Sequence, residues 1–185
     1  MLSFFKGKTM IRPICRMGNP VLRMPAREIL ISELKSESFA RLVEDLKDSM
    51  KHYGGIGIAA PQIGHSLQVA LIELNGINRY GQEIHLPLTA FINPVITFLT
   101  DELQGHWEGC LSVPGLRGYV ERPKKVRVSY LTIAGVNEEI IAEGFLATVL
   151  QHELDHLHGK LYIDHITDLT KLSYQEEFDA FISNS

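Results

Sequence analysis

The sequence predicts an α+β fold. Apolar residues recur at helical spacing in segments near both ends of the chain, while runs that read as strands fill its middle. Helices therefore flank a block of strands, without the regular strand–helix alternation of a doubly wound fold.

Each element follows from local pattern. Phe39, Leu42, Val43, Leu46 and Met50 fall on one helical face, with Ser36 and Ser38 available as N-caps and Gly54-Gly55 as a stop. Leu67 to Leu74, Ala90 to Phe98, Val126 to Tyr130 and Glu138 to Ala142 read as strands, and Val126, Val128 and Tyr130 alternate with polar neighbours. Phe145 to His158 reads as the second long helix, closed by Gly159. Ser173-Tyr174-Gln175-Glu176 has the form of a capping box, and Tyr174, Phe178, Phe181 and Ile182 would form the apolar stripe of a short terminal helix. Gly76-Ile77-Asn78-Arg79-Tyr80-Gly81 reads as a surface loop insertion.

The whole chain sets wider bounds. Its 185 residues at 45% hydrophobic composition fit one compact domain over 11–185, with 1–10 as an N-terminal extension. A net charge of -4, from 18 basic and 22 acidic residues, gives no electrostatic case for nucleic acid as a partner. Cys15 and Cys110 are the only cysteines, which argues against a disulfide framework and for a reducing, cytoplasmic setting. No run reaches the ~20 apolar residues of a membrane span. Basic residues precede the first acid, Glu28, as in an organellar import segment, but Pro13, Pro20 and Pro25 oppose the amphipathic helix that such a segment forms.

The chemistry concentrates in His152-Glu153-Leu154-Asp155-His156. Residues four apart on a helix project about 40° apart, so His152 and His156 are placed to grip one cation from successive turns. Glu153 sits about 100° round from His152, within reach of a water on that cation. A divalent metal lowers the pKa of bound water from ~16 to about 7, and a nearby carboxylate takes the proton. Hydrolysis of a carbonyl compound is the natural reading. Catalytic sites typically offer three protein ligands, so one more must come from elsewhere. The candidates are the histidines at 52, 65, 85, 106, 158 and 165, several carboxylates, and Cys110 in the turn-like Glu108-Gly109-Cys110-Leu111-Ser112-Val113-Pro114-Gly115. Local sequence leaves Cys110 open between ligand and small buried hydrophobe. A further strip, Gly54-Gly55-Ile56-Gly57-Ile58-Ala59-Ala60-Pro61-Gln62, lacks side-chain bulk and ends in an amide, which suits close backbone approach to a ligand and donation to an oxyanion.

Taken together, Gly55 to Gln62, Glu108 to Ser112 and Gln151 to His156 closely resemble the three signature segments of the peptide deformylases, in the same order, within a stretch of likeness from about Ile11 to Ile163. The resemblance implies mixed or antiparallel sheets packed around a central helix carrying the His-Glu-x-x-His motif. It implies that Cys110, His152 and His156 bind one divalent metal with water as fourth ligand, Fe2+ in many members, while Zn2+, Ni2+ or Co2+ suit the same donors. The implied reaction removes the formyl group from the N-terminal formylmethionine of newly made polypeptides and releases formate. In it Glu153 is general base and then acid, and Gln62 and the backbone N–H of Leu111 stabilise the oxyanion. Ile56, Phe145, Thr148 and Val149 would line the methionine pocket, Gly57 and Gly115 would meet the peptide backbone, and Arg117 would edge the pocket.

Supporting roles are expected for Glu108 and Gln151 in orienting ligands and for Asp155 in pairing with Arg122, with Trp107 packed under the site. His106, His158 and His165 receive no role. The acidic run Glu176-Glu177-Asp179 limits ribosome contact through the C-terminus to a weak association. A zinc protease taking a third ligand from Asp164 or Glu176, a non-enzymatic metal-stabilised protein, and a hydrolase of another formyl or small amide compound are the competing readings.

Overall fold

The computed structural model describes residues 10–77, 80, 81 and 83–183. Residues 1–9 of the N-terminal basic segment, and Asn78 and Arg79 of the expected insertion with Gln82 just after it, lie outside the described residues. Helix α1, Glu37–His52, starts at Ser36, whose hydroxyl accepts from Phe39 N at 3.2 Å. Strand β1, Gly57–Ala59, is followed by β2, Val69–Ile77, and β3, Glu83–Phe98. After β4, Leu103–Cys110, and β5, Val113–Pro123, come β6, Lys125–Leu131, and β7, Asn137–Glu143. Helix α2, Phe145–Leu157, carries the His-Glu-x-x-His motif, and β8, Leu172–Tyr174, leads into α3, Gln175–Phe181.

The strands form two antiparallel sheets, one ordered β1-β2-β3-β6-β7 and the other β4-β5-β8. Helix α2 contacts β2 and β7 of the first sheet and β5 of the second, so the motif is held centrally. Val126, Val128 and Tyr130 of β6 turn inward with Ala142 of β7 onto Leu150, Leu154 and Leu157 of α2. Burying each of those leucines contributes roughly 1.5–3 kcal/mol. On the opposite face of the sheet, Phe39, Leu42, Leu46 and Met50 of α1 pack on Ile58, Leu71 and Ile92. Gly159, at φ 72°, ends the α2 region, and a Cβ there would lie 2.7 Å from the Arg23 carbonyl carbon.

Two expectations are corrected. The insertion is not a plain loop: β2 and β3 continue outward as a paired arm, with Asn75 opposite His85, Gly76 opposite Ile84 and Ile77 opposite Glu83. Backbone pairing extends the hairpin beyond the apolar run that marks β2, leaving Tyr80 near its tip. The expected capping box is absent, because Ser173 is drawn into β8 opposite Arg117 and its hydroxyl donates to the Tyr174 carbonyl. Of the proposed terminal stripe only Phe178 is buried, while Tyr174 and Phe181 are exposed.

Candidate metal centre and reaction cleft

The β4–β5 hairpin brings the second motif against the third. Cys110 ends β4 opposite Val113, so Leu111 and Ser112 form a tight turn that aims the thiol toward α2. Cys110 Sγ lies 3.3 Å from Nε2 of His156, and the donor atoms of Cys110, His152 and His156 all fall within 4.8 Å of one another. For a sulfur at ~2.3 Å and a nitrogen at ~2.1 Å from one cation, a tetrahedral edge is about 3.6 Å, so this donor set fits a divalent metal. Among the described residues no other cluster of at least three such donors gathers in this way. Asp164, offered by the protease alternative, is occupied by Arg23 and the Leu161 N–H, and Glu176 is exposed.

Burial opposes ionisation of Cys110, but the His156 and His152 imidazoles outweigh it and hold the thiol well below its ordinary value. Two further donors face the sulfur: Ser112 N at 3.4 Å and Gln62 Nε2 at 3.5 Å. The Ala59 N–H points at Gln62 Oε1 at 2.8 Å, which settles the orientation of that amide and leaves Nε2 facing Cys110 and Ser112 Oγ.

His152 is oriented from behind by Glu108, whose Oε2 lies 2.7 Å from its Nδ1. Glu108 is in turn gripped by both Nε and Nη2 of Arg122, at 2.6 and 3.1 Å, and Arg122 Nη1 reaches Asp155 at 2.8 Å. Although burial works against it, the His152 hydrogen bond and the Arg122 guanidinium bring Glu108 down to about 2. Asp155 falls to about 2 for the same kind of reason, its burial outweighed by His165 and Arg122. The expected Asp155–Arg122 pair is present, and Glu108 orients His152 as expected. Gln151 does otherwise: it donates to the Pro123 and Ala147 carbonyls and fastens α2 to the end of β5.

Glu153 is buried beside Gly57, where a Cβ would lie 2.4 Å from its Oε1. Burial pushes its carboxyl up to about 7, with help from the nearby Cys110 and Glu108 and against the two imidazoles. Its Oε2 is buried without a hydrogen-bond partner among the described residues. A carboxylate so placed has an open lone pair for a water's proton, at a pKa suited to neutral pH.

In front of these groups lies a cavity of about 350 Å3. Gln62, Cys110, Leu111, His152 and Glu153 line it, together with Ile56, Gly57, Gly115, Arg117, Phe145, Thr148 and Val149. Every residue expected at the site is thus brought to one place, with His156 buried just behind. Trp107 also borders the cavity and packs its ring on Tyr119 and Phe178, at 5.8 and 5.1 Å.

Four contributors escaped the sequence reading. His106 Nδ1 lies 2.9 Å from Thr148 Oγ1, and the Gln104 amide donates to the same hydroxyl at 3.2 Å. The alternation of Gln104, His106 and Glu108 along β4 was a usable signal, since residues two apart share a face. His165 lies 2.8 Å from Asp155, and Tyr162 stacks on His152 with ring centroids 6.0 Å apart. Neither has a local signal, because both follow α2 and return to it only through the fold.

The polypeptide deformylase family model matches residues 11–172. The chain is 41% identical over 171 residues to a peptide deformylase of Leptospira biflexa, covering 92% of this chain and 96% of that protein. It is 45% identical over 168 residues to peptide deformylase 1 of Bordetella pertussis, covering 90% and 94%. A crystal structure of a class I type b peptide deformylase from Acinetobacter baumannii with Met-Ala-Ser bound superimposes with a TM-score of 0.81 at 34% identity, covering 86% of this chain and all of that one. The chain belongs to the polypeptide deformylase family, metal-dependent hydrolases that remove the N-formyl group from newly made polypeptides.

Proposed function

We propose that residues 11–185 act as one catalytic domain in which Cys110, His152 and His156 hold a divalent metal, Fe2+ in the working enzyme, and Glu153 carries the protons of formyl hydrolysis. The observation that bears most of the weight is the buried, partnerless Oε2 of Glu153 beside the convergent Cys–His–His donors. A divalent cation there supplies Lewis-acid polarisation and acidifies water. Glu153 accepts a proton from the attacking water and returns it to the leaving amine, and its burial strengthens its hold on that proton. The Gln62 amide and the Leu111 N–H, both at the cavity wall, donate to the oxyanion of the tetrahedral intermediate, and loss of one such donor costs about 3 kcal/mol. Ile56, Phe145, Thr148 and Val149 receive the methionine side chain, Gly57 and Gly115 accept the peptide backbone alongside β1, and Arg117 edges the pocket.

The substrate is the formylated N-terminus of a nascent polypeptide in the cytoplasm. Any ribosome association is weak, since α3 carries Glu176, Glu177 and Asp179. Formate release from a formyl-Met tripeptide by anaerobically purified protein tests the reading, with Cys110→Ser and an N-acetyl-Met peptide as controls. Release that is lost in the variant and absent for the acetyl peptide is expected, and no release at full metal occupancy would overturn it. With Fe2+ and a thiolate at the cavity wall, activity falls in air and returns with ferrous salt under anaerobic conditions; air-stable activity with bound zinc would contradict the iron assignment.

A further inference from the structure

Strand β4 and helix α2 run in step. Gln104, His106 and Glu108 share one face of β4, where two residues advance about 6.8 Å, and Gly144, Thr148 and His152 recur four apart, a spacing that advances about 6 Å along a helix. Each β4 side chain therefore meets one position of the helix. The Gln104 amide donates to the Gly144 carbonyl at 2.6 Å, His106 Nδ1 lies 2.9 Å from Thr148 Oγ1, and Glu108 Oε2 lies 2.7 Å from His152 Nδ1. Two of these β4 residues converge on Thr148, at the wall of the reaction cavity, because Gln104 Nε2 also donates to its hydroxyl at 3.2 Å.

A threonine hydroxyl has one proton and two lone pairs. The bond to the Gly144 carbonyl fixes which end of the Gln104 amide faces Thr148, so Gln104 takes a lone pair and leaves the hydroxyl proton free. That proton has an acceptor in His106 Nδ1, with the imidazole's own proton on Nε2. Burial holds the His106 imidazole below its ordinary value, against the pull of Glu108, and so favours this neutral form. The ring is fixed by its neighbours, Tyr80 at 4.7 Å and Phe145 at 5.6 Å, and the Tyr80 hydroxyl in turn accepts from the Trp107 N–H at 3.0 Å. We propose that His106 is a specificity-positioning residue: by taking the Thr148 proton it keeps that hydroxyl turned to β4, so the pocket offers no donor there and rejects methionine sulfoxide. Oxidation turns an apolar thioether into a polar S=O, and burying that oxygen without a donor is costly. The assignment deepens the deformylase reading and rests on it, with Thr148 in the methionine pocket.

The test uses the metal-loaded full chain and three peptides: formyl-Met-Ala-Ser, its methionine sulfoxide form, and its norleucine counterpart, which keeps the apolar shape. In the wild type kcat/KM for the methionine peptide is expected to exceed that for the sulfoxide roughly 10-fold or more. His106→Phe keeps a ring against Tyr80 and Phe145 but has no acceptor. It frees the Thr148 proton for the sulfoxide oxygen and narrows the preference about 3- to 10-fold, while the methionine-to-norleucine ratio holds. His106→Asn, which keeps an acceptor near the place of Nδ1, retains the wild-type preference. Thr148→Val alone also retains it, since the hydroxyl removed is not shown to the substrate, and adding His106→Phe to Thr148→Val changes nothing further. Because each ratio is taken within one preparation, loss of folded protein in a variant cancels. Four results would overturn the assignment and leave the deformylase reading intact: no preference in the wild type, an unchanged preference in His106→Phe, the same narrowing in the Thr148→Val background, or a norleucine ratio that moves with it. A preference that widens in Thr148→Val alone would do so too, as it would place the hydroxyl in contact with the sulfoxide already. No reaction with any of the three peptides would overturn the deformylase reading, and the assignment with it.

Discussion

Glu108 Oε2 sits 2.7 Å from His152 Nδ1, so the residue that orients one proposed ligand comes from the same short strand as another, Cys110. The hydrogen bond selects the tautomer of His152 that turns Nε2 toward Cys110 and His156. Glu108→Gln keeps the shape and removes the charge; metal affinity is expected to fall 10- to 100-fold, the usual cost of losing such a partner. A chelator competition titration reads this directly, and an unchanged affinity would remove Glu108 from the site's support.

Arg122 is the cation between a buried carboxylate, Glu108, and a half-buried one, Asp155. Arg122→Met leaves Glu108 buried without its cation, while half-buried Asp155 keeps His165, at a cost of roughly 3–5 kcal/mol in unfolding free energy near pH 7. Both acids are held at about 2 when folded, below their ordinary values, so their stabilisation is present above about pH 4 and is lost as pH falls toward 2. Denaturant unfolding of wild type and variant should therefore differ most at pH 7, with the gap narrowing by pH 3. A gap independent of pH would contradict the ionic account.

Glu153 has the opposite sign. Its folded value, about 7, lies above the ordinary 4.5, so the folded protein binds more protons and loses stability as pH rises between those values. At 1.36 kcal/mol per unit the penalty at pH 8 is on the order of 3 kcal/mol. Metal-stripped Glu153→Gln is expected to be more stable than stripped wild type at pH 8, with the difference vanishing near pH 4. The loaded variant should lose 100-fold or more in kcat, on the order of a general acid–base contribution. Full turnover in Glu153→Gln would sink the assignment.

Gly57 leaves no room for a side chain: a Cβ would meet Glu153 at 2.4 Å from Oε1 and 2.6 Å from Cδ. The neighbour is the Glu153 side chain, which also borders the cavity, so Gly57→Ala displaces the carboxylate toward that space. A misplacement of about 1 Å costs about 100-fold in rate, and metal binding should be preserved because no proposed ligand is touched. Steady-state kinetics beside a metal titration separate the two effects, and normal kcat would show that Glu153 tolerates the shift.

The two long helices and four of the strands were legible because their signals are local. The i, i+4 imidazoles of α2, the inward alternation of β6 and the Ser36 cap of α1 all depend on neighbours within a few residues. The β4–β5 hairpin was not legible as strands, since Gly105, Gly109 and Gly118 break the hydrophobic alternation. Those glycines answer to tertiary packing: a Cβ at Gly105 would lie 2.0 Å from the Tyr119 hydroxyl oxygen, one at Gly109 2.0 Å from Arg117 Nη1, and one at Gly118 2.5 Å from Ile166 Cδ1. Strands β1 and β8, three residues each, are too short to carry a period.

The same division holds for the chemistry. From the residue order come the helix of the proposed metal ligands, the proposed general base, the Gly-rich strip and, through the joint pattern of the three segments, the family. Folding supplied the distances: the 3.3 Å between Cys110 Sγ and His156 Nε2, the His165–Asp155–Arg122–Glu108–His152 chain of contacts, and the 3.0 Å between the Tyr80 hydroxyl and the backbone N of Trp107. A helix repeats every ~3.6 residues, so spacing along it already encodes which side chains face together. Contacts between strands, arms and helices depend on register and packing across many intervening residues, and no local spacing records them.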